Sequence, residues 1–341
     1  MRGIGYSQLS AAEKEVYERF EQAFASYASC VDGSNIDRKI NVMKILQIAL
    51  GDNPQIVYFN KTKICTETVL LGEKKIKFLD AATPSQAKRM QAQLEAAAAK
   101  ALDEITAWNP ISNYDKLICI YEYLQDHVIY DMKELESCAT RGRSITPMSH
   151  NAYGPLIQGT GVCDGISSAF CLLAKKMGFE CTTISGNAAF IVDGFSEHSW
   201  SVIKIADCYY HVDPTWDVNN RRQTGEYSYE YFCVSDDSIA ADHNWDVRLV
   251  PICPREDSSY YVRNHCLANN LTQLEEIFRR IAKSKQKVIR AKLADGIAIP
   301  EPENKFLGEM LAKAAISVEK YATFSYTWNK NSRCFYAKFD S

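Results

Sequence analysis

The amino-acid sequence predicts an α+β fold in which a helix that carries a cysteine packs on an antiparallel sheet. Apolar residues recur at helical spacing from Cys163 to Met177. Apolar and polar residues then alternate from His198 to Asp213, as in two antiparallel strands joined by a tight turn. The chain on either side of this region mixes helical and strand patterns, which is typical of the α+β class.

Residues 1–108 are predicted to form an N-terminal helical and β flank. Apolar residues recur at helical intervals in 9–28 and 37–50, and the Ala- and Gln-rich stretch 85–108 predicts a long helix. Between them, three short strands are expected in the segments QIVYF, KICTETVLL and KKIKFLD.

The core is predicted to span residues 109–254. A helix is expected over 114–130, followed by a polar loop from Asp131 to Ser149 that has no clear period. A loop of that length is usually functional or mobile. It is interpreted either as a lid over the thiol of Cys163 or as a disordered surface insertion.

Residues 255–341 are predicted to form a small C-terminal α+β domain, because Pro251 and Pro254 mark a boundary before them. Strand and helix signals alternate there, and the last two strands are expected to be joined by a turn at 329–331. The signals in this part are carried by the segments YYVRN, LTQLEEIFRRIAKS, KVIRAKL, 303–315, ATFSYTW and RCFYAKF.

Composition excludes several classes of protein. Of the 341 residues, 46% are apolar and 24% are charged, which is typical of a globular chain. A net charge of -3, with Lys and Arg scattered, argues against a nucleic-acid partner. No stretch reaches the ~20 apolar residues of a membrane span. The N-terminus lacks the apolar core of a signal peptide and predicts a cytoplasmic location, although a chain with a trimmed leader would look the same.

The twelve cysteines predict neither a metal site nor a cofactor. None of them stands in a CxxC pair, and the chain has no HExxH motif. Several cysteines lie within apolar patterns, where a reduced thiol behaves as a small hydrophobe. Most are therefore interpreted as buried, reduced thiols.

Cys163 differs from the other cysteines because it follows Gly159-Thr160-Gly161 and begins a predicted helix. Unpaired N–H groups and the helix dipole at that position are expected to stabilise a thiolate. The alternative is one more buried cysteine.

The length of the hairpin turn decides whether His198 and Asp213 lie on the same face of the sheet. If its turn has an even number of residues, Ile205 pairs with Cys208, and His198 lies diagonal to Asp213 on the same face of the sheet. An odd turn would place the two side chains on opposite faces. An imidazole held by a carboxylate could serve as the base for a nearby thiol.

Three motifs resemble the transglutaminase-like superfamily, whose members are relatives of papain-like cysteine peptidases. The motifs are GVCDGISSAF, HSW and YHVDPTWD, and the resemblance extends over 114–245, with segments that look like the bacterial branch of the family. It implies a transglutaminase-like/papain-like core with Cys163 as nucleophile, His198 as base and Asp213 as the orienting carboxylate. It further implies acyl transfer through a thioester.

The sequence pattern does not settle which residues complete the oxyanion hole or line the cleft. The first oxyanion donor is expected to be the backbone N–H of Cys163, with Gln158 and Tyr153 as competing candidates for a second. Trp200 and Trp216 flank the predicted base and acid, and each is either a cleft-lining or an ordinary core residue. Two further residues, His150 and His243, are expected to be capping or buried hydrogen-bonding histidines.

The sequence therefore predicts a cysteine-dependent enzyme acting on amide bonds of a peptide or protein substrate. Water as acceptor would make it a peptidase or amidase, and an amine would make it a transglutaminase. Hydrolysis is favoured because no DxDxDG calcium motif is present. The alternative is a catalytically silent module that binds a protein or a cell-wall peptide.

Overall fold

The computed structural model describes residues 3–68, 74–189, 195–284, 286–317 and 323–339, and it confirms the α+β class. The helices are α1 (Ile4–Ser7), α2 (Ala11–Ser26), α3 (Val42–Asp52), α4 (Pro84–Ala107), α5 (Asn113–His127), α6 (Met132–Arg141), α7 (Cys163–Lys176), α8 (Pro214–Thr224), α9 (Asp236–Ile239), α10 (Tyr260–Arg263), α11 (Leu271–Lys283) and α12 (Glu303–Ile316). The strands are β1 (Cys30–Asp32), β2 (Ile64–Thr68), β3 (Lys74–Phe78), β4 (Ile129–Tyr130), β5 (Thr160–Gly161), β6 (Glu180–Ala189), β7 (Phe195–Ile205), β8 (Cys208–Val212), β9 (Phe232–Val234), β10 (His243–Trp245), β11 (Leu267–Ala268), β12 (Val288–Leu293), β13 (Phe324–Asn329) and β14 (Cys334–Phe339).

The chain divides into two compact units. The first comprises the residues up to Ser228 together with His243–Pro254, and the second comprises Tyr229–Asp242 together with Arg255–Ser341. Among the described residues, no helix is long and apolar enough to cross a membrane.

The N-terminal part of the first unit contains a three-stranded sheet in the order β1-β3-β2. The prediction of a strand at QIVYF is wrong, because the third strand is Cys30–Asp32 and not residues 55–59. The side chains of 56–59 are all buried, and the segment packs as irregular chain in the core. A strand with one exposed face would have buried only alternate residues. The expected strand KICTETVLL is present over Ile64–Thr68, and its last three residues lie outside the described residues.

In the centre of the first unit, β10, β6, β7 and β8 lie side by side in that order, and each neighbouring pair is antiparallel. Ile205 pairs with Cys208, so the turn between β7 and β8 has two residues. Helix α7, which begins at Cys163, packs on β6 and β7. A hydrogen bond connects the helix to β7, in which the hydroxyl of Ser167 donates to the carbonyl of Ser199 at 3.0 Å.

The segment from Asp131 to Ser149 is not the irregular loop that the sequence predicted. It contains α6 and a 3-10 turn at Pro147–His150. The Asp131 side chain caps α6 by accepting from the N–H of Glu134 at 3.1 Å, and Gly142 ends the helix with φ 59°. The helix has only ten residues, of which Met132 and Leu135 are the large apolar ones, and the sequence analysis did not recognise it.

The second unit contains the sheet β11-β12-β14-β13, with α11 and α12 packed against one another. The predicted last hairpin is confirmed, since Asn329 pairs with Cys334 at its closed end. The segment YYVRN forms the short helix α10 instead of a strand, because Ser259 caps it by accepting from the N–H of Val262.

Candidate active site

Cys163 is the first residue of α7, as the sequence predicted. The N-cap is Val162, which has no side-chain oxygen to occupy the first N–H groups of the helix. Two residues on, Gly165 lies so close to the preceding 3-10 turn that an added Cβ would be 2.1 Å from the carbonyl oxygen of Ser149. The glycine therefore lets that turn pack directly on the start of α7, which fixes the position of the thiol.

The sulfur of Cys163 lies against strand β7. The backbone N–H of Ser199, the residue after His198, donates to the sulfur, as does the N–H of Asp164. These two contacts place the thiol beside the strand residue that carries the imidazole. Sequence patterns could not show this, because the two elements are separated by more than thirty residues in the chain.

The thiol has a higher proton affinity than the sequence led us to expect. Burial raises the pKa of Cys163 well above its usual range, and the neighbouring carboxylates of Asp164 and Asp213 raise it further. The N–H donors from Ser199 and Asp164 lower the pKa but do not compensate. Burial and the two carboxylates therefore oppose the stabilisation of a thiolate that the helix start was expected to provide.

His198 and Asp213 form a buried pair whose side chains are both 0% exposed. The Nε2 atom of His198 lies 2.7 Å from Oδ2 of Asp213. The two-residue turn between β7 and β8 places both side chains on one face of the sheet, as the even-turn alternative required.

Asp213 makes three further contacts, two of them through its carboxylate and one through its backbone carbonyl. Its Oδ1 accepts from the N–H of Thr215 at 2.9 Å and thereby caps α8, and its carbonyl accepts from the Tyr121 hydroxyl at 2.9 Å. A second imidazole, that of His243 in β10, lies 3.3 Å from Oδ2. Burial raises the pKa of Asp213, but the two histidines outweigh it and hold the pKa well below its usual range.

Trp200 and Trp216 both contact the His198 ring, with ring centroids at 5.9 and 5.7 Å. Trp200 is a core residue: it is fully buried, and its indole N–H donates to Nδ1 of His211 at 2.9 Å. Trp216 is half-buried and stacks on the imidazole at an interplanar angle of 29°. Together they keep water away from the His198–Asp213 contact.

The two candidate oxyanion side chains make no hydrogen bond to Cys163 within the described part of the chain. Gln158 is exposed at the end of a π-helical turn, and the Tyr153 hydroxyl donates to Oε1 of Gln93 at 2.8 Å. Tyr130, which the sequence did not indicate, is the residue that contacts the backbone of Cys163. Its phenol oxygen accepts from the backbone N–H of Cys163, and burial raises the pKa of the phenol.

The two other histidines of this region act as hydrogen-bonding groups, as predicted. His150 lies between the carboxylates of Glu134 and Asp164, at 2.9 and 3.1 Å. His243 is buried, and its contact with Asp213 was not expected. The only sequence signal for it was its place in a segment that resembles the family, downstream of the hairpin.

Comparisons with known proteins support the resemblance. Residues 100–214 match the model of the transglutaminase-like superfamily, and this range includes Cys163, His198 and Asp213. The predicted resemblance is therefore confirmed for the part of the chain that carries the site. A comparison with curated proteins found no match.

Two solved structures show distant similarity. One is a crystal structure of a TGase, with 12% identity and a TM-score of 0.32 over 45% of this chain and 44% of the other. The second is named "Putative Cysteine Protease from Cytophaga hutchinsonii", with 12% identity and a TM-score of 0.28 over 45% of this chain and 61% of the other. In both cases this chain covers less than two thirds of the other protein.

Proposed function

We propose that this protein is a cysteine-dependent acyl-transfer enzyme that acts on amide bonds of a peptide or protein through a thioester. Cys163 is the nucleophile, His198 the general base and Asp213 the carboxylate that orients the base. The observation that carries the proposal is the buried 2.7 Å contact between His198 and Asp213, next to the N–H of Ser199 that donates to the Cys163 sulfur.

The environment of the thiol favours proton transfer to the imidazole over loss of the proton to solvent. A lone thiolate would be buried near two carboxylates, which is unfavourable. When the proton passes to Nδ1 of His198, Asp213 stabilises the imidazolium through Nε2–H, and the thiolate and imidazolium form an ion pair. The sulfur then attacks the amide carbonyl.

The rest of the reaction follows the chemistry of acyl transfer. Attack forms a C–S bond and a tetrahedral oxyanion, for which the N–H of Cys163 is a donor once the Tyr130 phenol has moved away. Collapse breaks the C–N bond, and the imidazolium gives its proton to the departing amine or ammonia. Water then releases a carboxylic acid, or a second amine forms a new amide.

The proposal is tested by alkylating the native protein with a low concentration of iodoacetamide at pH 5 to 9 and then mapping the modified peptides by mass spectrometry. We expect Cys163 to react faster at pH 7 than the half-buried thiols Cys65, Cys119 and Cys208, and to lose that lead in His198→Ala. A matched control is His127→Ala, which removes a partly exposed imidazole on α5 that pairs with Glu104.

The same preparations would then be assayed for hydrolysis of a peptide library and for incorporation of a fluorescent primary amine. If Cys163 reacts no faster than the three comparison thiols, or reacts equally fast without His198, the enzyme proposal is wrong. The chain would then be better explained as a module that binds peptides without cleaving them.

A further inference from the structure

A second cluster of titratable side chains lies in the first unit, beside the start of α7. Glu134 and Cys138 are one turn apart on α6, and His150 ends the 3-10 turn that follows. Their atoms Oε1, Sγ and Nε2 lie within 4.8 Å of one another. The pairwise distances are 2.9 Å from Oε1 to Nε2, 3.5 Å from Oε1 to Sγ and 4.0 Å from Sγ to Nε2.

We propose that Glu134, Cys138 and His150 form a three-residue binding site for a divalent cation of the zinc type. One carboxylate oxygen, one sulfur and one imidazole nitrogen are ligands that suit Zn²⁺, whereas Mg²⁺ and Ca²⁺ prefer oxygen alone. The sequence did not indicate this site, because its cysteine has no CxxC partner and the ligands come together only through folding.

The distances agree with tetrahedral coordination. Zinc binds oxygen and nitrogen at about 2.0 Å and sulfur at about 2.3 Å, so its ligand atoms are separated by about 3.3 to 3.6 Å. The observed separations of 2.9, 3.5 and 4.0 Å lie below, within and above that range, respectively. Shifts of a few tenths of an ångström in the side chains would accommodate the ion, and a water molecule would take the fourth position.

Glu134 and His150 are already oriented by contacts on the side that faces away from the cluster. The second oxygen of Glu134 accepts from the backbone N–H groups of Ile145 and Thr146, at 2.8 and 2.7 Å. The second nitrogen of His150 lies 3.1 Å from the carboxylate of Asp164. A carboxylate on the outer nitrogen of a histidine is the usual support for a metal-bound imidazole. An ordinary surface ion pair has no such fixed geometry.

Binding of the cation would require the thiolate of Cys138 and a neutral imidazole at His150. The cation would be a positive partner for the Glu134 carboxylate, which is fully buried. Cys138 is half-buried, which leaves a route for entry.

The test uses Co²⁺, whose bond to a thiolate gives a near-ultraviolet charge-transfer absorption. The chelator-treated protein carrying Cys163→Ser would be titrated, so that the proposed nucleophile cannot contribute. We expect one equivalent of Co²⁺ to bind with this absorption, and at least a tenfold loss of affinity in Cys138→Ser and in His150→Gln. Cys208→Ser, which removes another half-buried thiol, should bind as before.

A second measurement needs no variant. Zn²⁺ added to the native chain should slow alkylation of Cys138 at least tenfold and leave alkylation of Cys208 unchanged. Absence of stoichiometric Co²⁺ binding, or a thiolate absorption that persists in Cys138→Ser, would overturn the proposal and leave the cluster as an ion-pair network. Neither readout depends on enzymatic activity, so this result is independent of the proposed function.

Discussion

His198 and Asp213 are joined by a 2.7 Å contact in which neither side chain is exposed to solvent. The same carboxylate caps α8 through its other oxygen, so the helix and the imidazole share one anchor. A change at Asp213 is therefore expected to affect both the orientation of His198 and the start of α8.

Replacement of Asp213 by Asn separates these two roles. Asn keeps an oxygen that can cap α8, but it lacks the negative charge that stabilises an imidazolium. We expect the folded state to persist while the alkylation rate of Cys163 at pH 7 falls by about 10² to 10⁴, the usual contribution of a general base. Asp213→Ala should show the same loss and, in addition, a lower free energy of unfolding. Full reactivity of the Asn variant would contradict the assignment of Asp213.

His243 provides a second test of how the carboxylate is held. His243→Leu removes a hydrogen bond to a charged group, so we expect the free energy of unfolding to fall by about 1.5 to 3 kcal/mol, measured with urea. Since Asp213 is then less firmly oriented, alkylation of Cys163 should also slow. His243→Gln offers an amide donor of similar reach and should recover part of both effects. Equal losses in Leu and Gln variants would indicate that the imidazole matters only for packing.

Gly165 is predicted to be intolerant of any side chain. In an ordinary helix Gly→Ala is stabilising by about 1 kcal/mol. At Gly165 the new Cβ would be 2.1 Å from the Ser149 oxygen, which is backbone and cannot move away cheaply. We expect Gly165→Ala to lower the free energy of unfolding by about 1 to 3 kcal/mol, the usual cost of overpacking. Ser168→Ala, in the next turn of α7, is the control, and it should cost less than Gly165→Ala.

In the second unit, Lys292 and Glu256 form a nearly buried ion pair at 3.1 Å. Lys292→Met would leave the carboxylate without its cation, so we expect a loss of about 3 to 5 kcal/mol in the free energy of unfolding of this unit. The double variant Lys292→Met with Glu256→Gln should cost less than the sum of the two single changes, because no unpaired charge remains. Additive losses would show that the pair is not coupled.

The pH dependence of the same pair has a definite sign. Burial raises the pKa of Glu256, but Lys292 and hydrogen bonds from Ser238 and Ser235 outweigh it, and the pKa is lowered overall. A carboxyl group with a lowered pKa in the folded state adds stability above its unfolded pKa of about 4.3, and this stability is lost as the pH falls further. Urea unfolding between pH 3 and 6 should therefore show a smaller slope with pH in Glu256→Gln than in the wild type.

The sequence by itself determined the features that depend on neighbouring residues. The helix that begins at Cys163 follows from apolar spacing after two glycines, and the strands β7 and β8 follow from the alternation of apolar and polar residues on both sides of a turn. Helical and strand periods are properties of short segments, so local pattern is sufficient to predict the helix and the two strands. It left open whether the turn is even or odd, and the two-residue turn of the structure places His198 and Asp213 on one face of the sheet.

Only the tertiary structure decided what surrounds these residues. Residues 56–59 are a buried irregular segment because the core around them needed apolar side chains on every face. His243 meets Asp213, and Glu134 meets Cys138 and His150, through the packing of separate elements. The proton affinity of Cys163 is set by burial and by two carboxylates that local pattern could not place beside the sulfur. Desolvation and Coulomb interactions act through space, and a sequence records only which residues are available to take part.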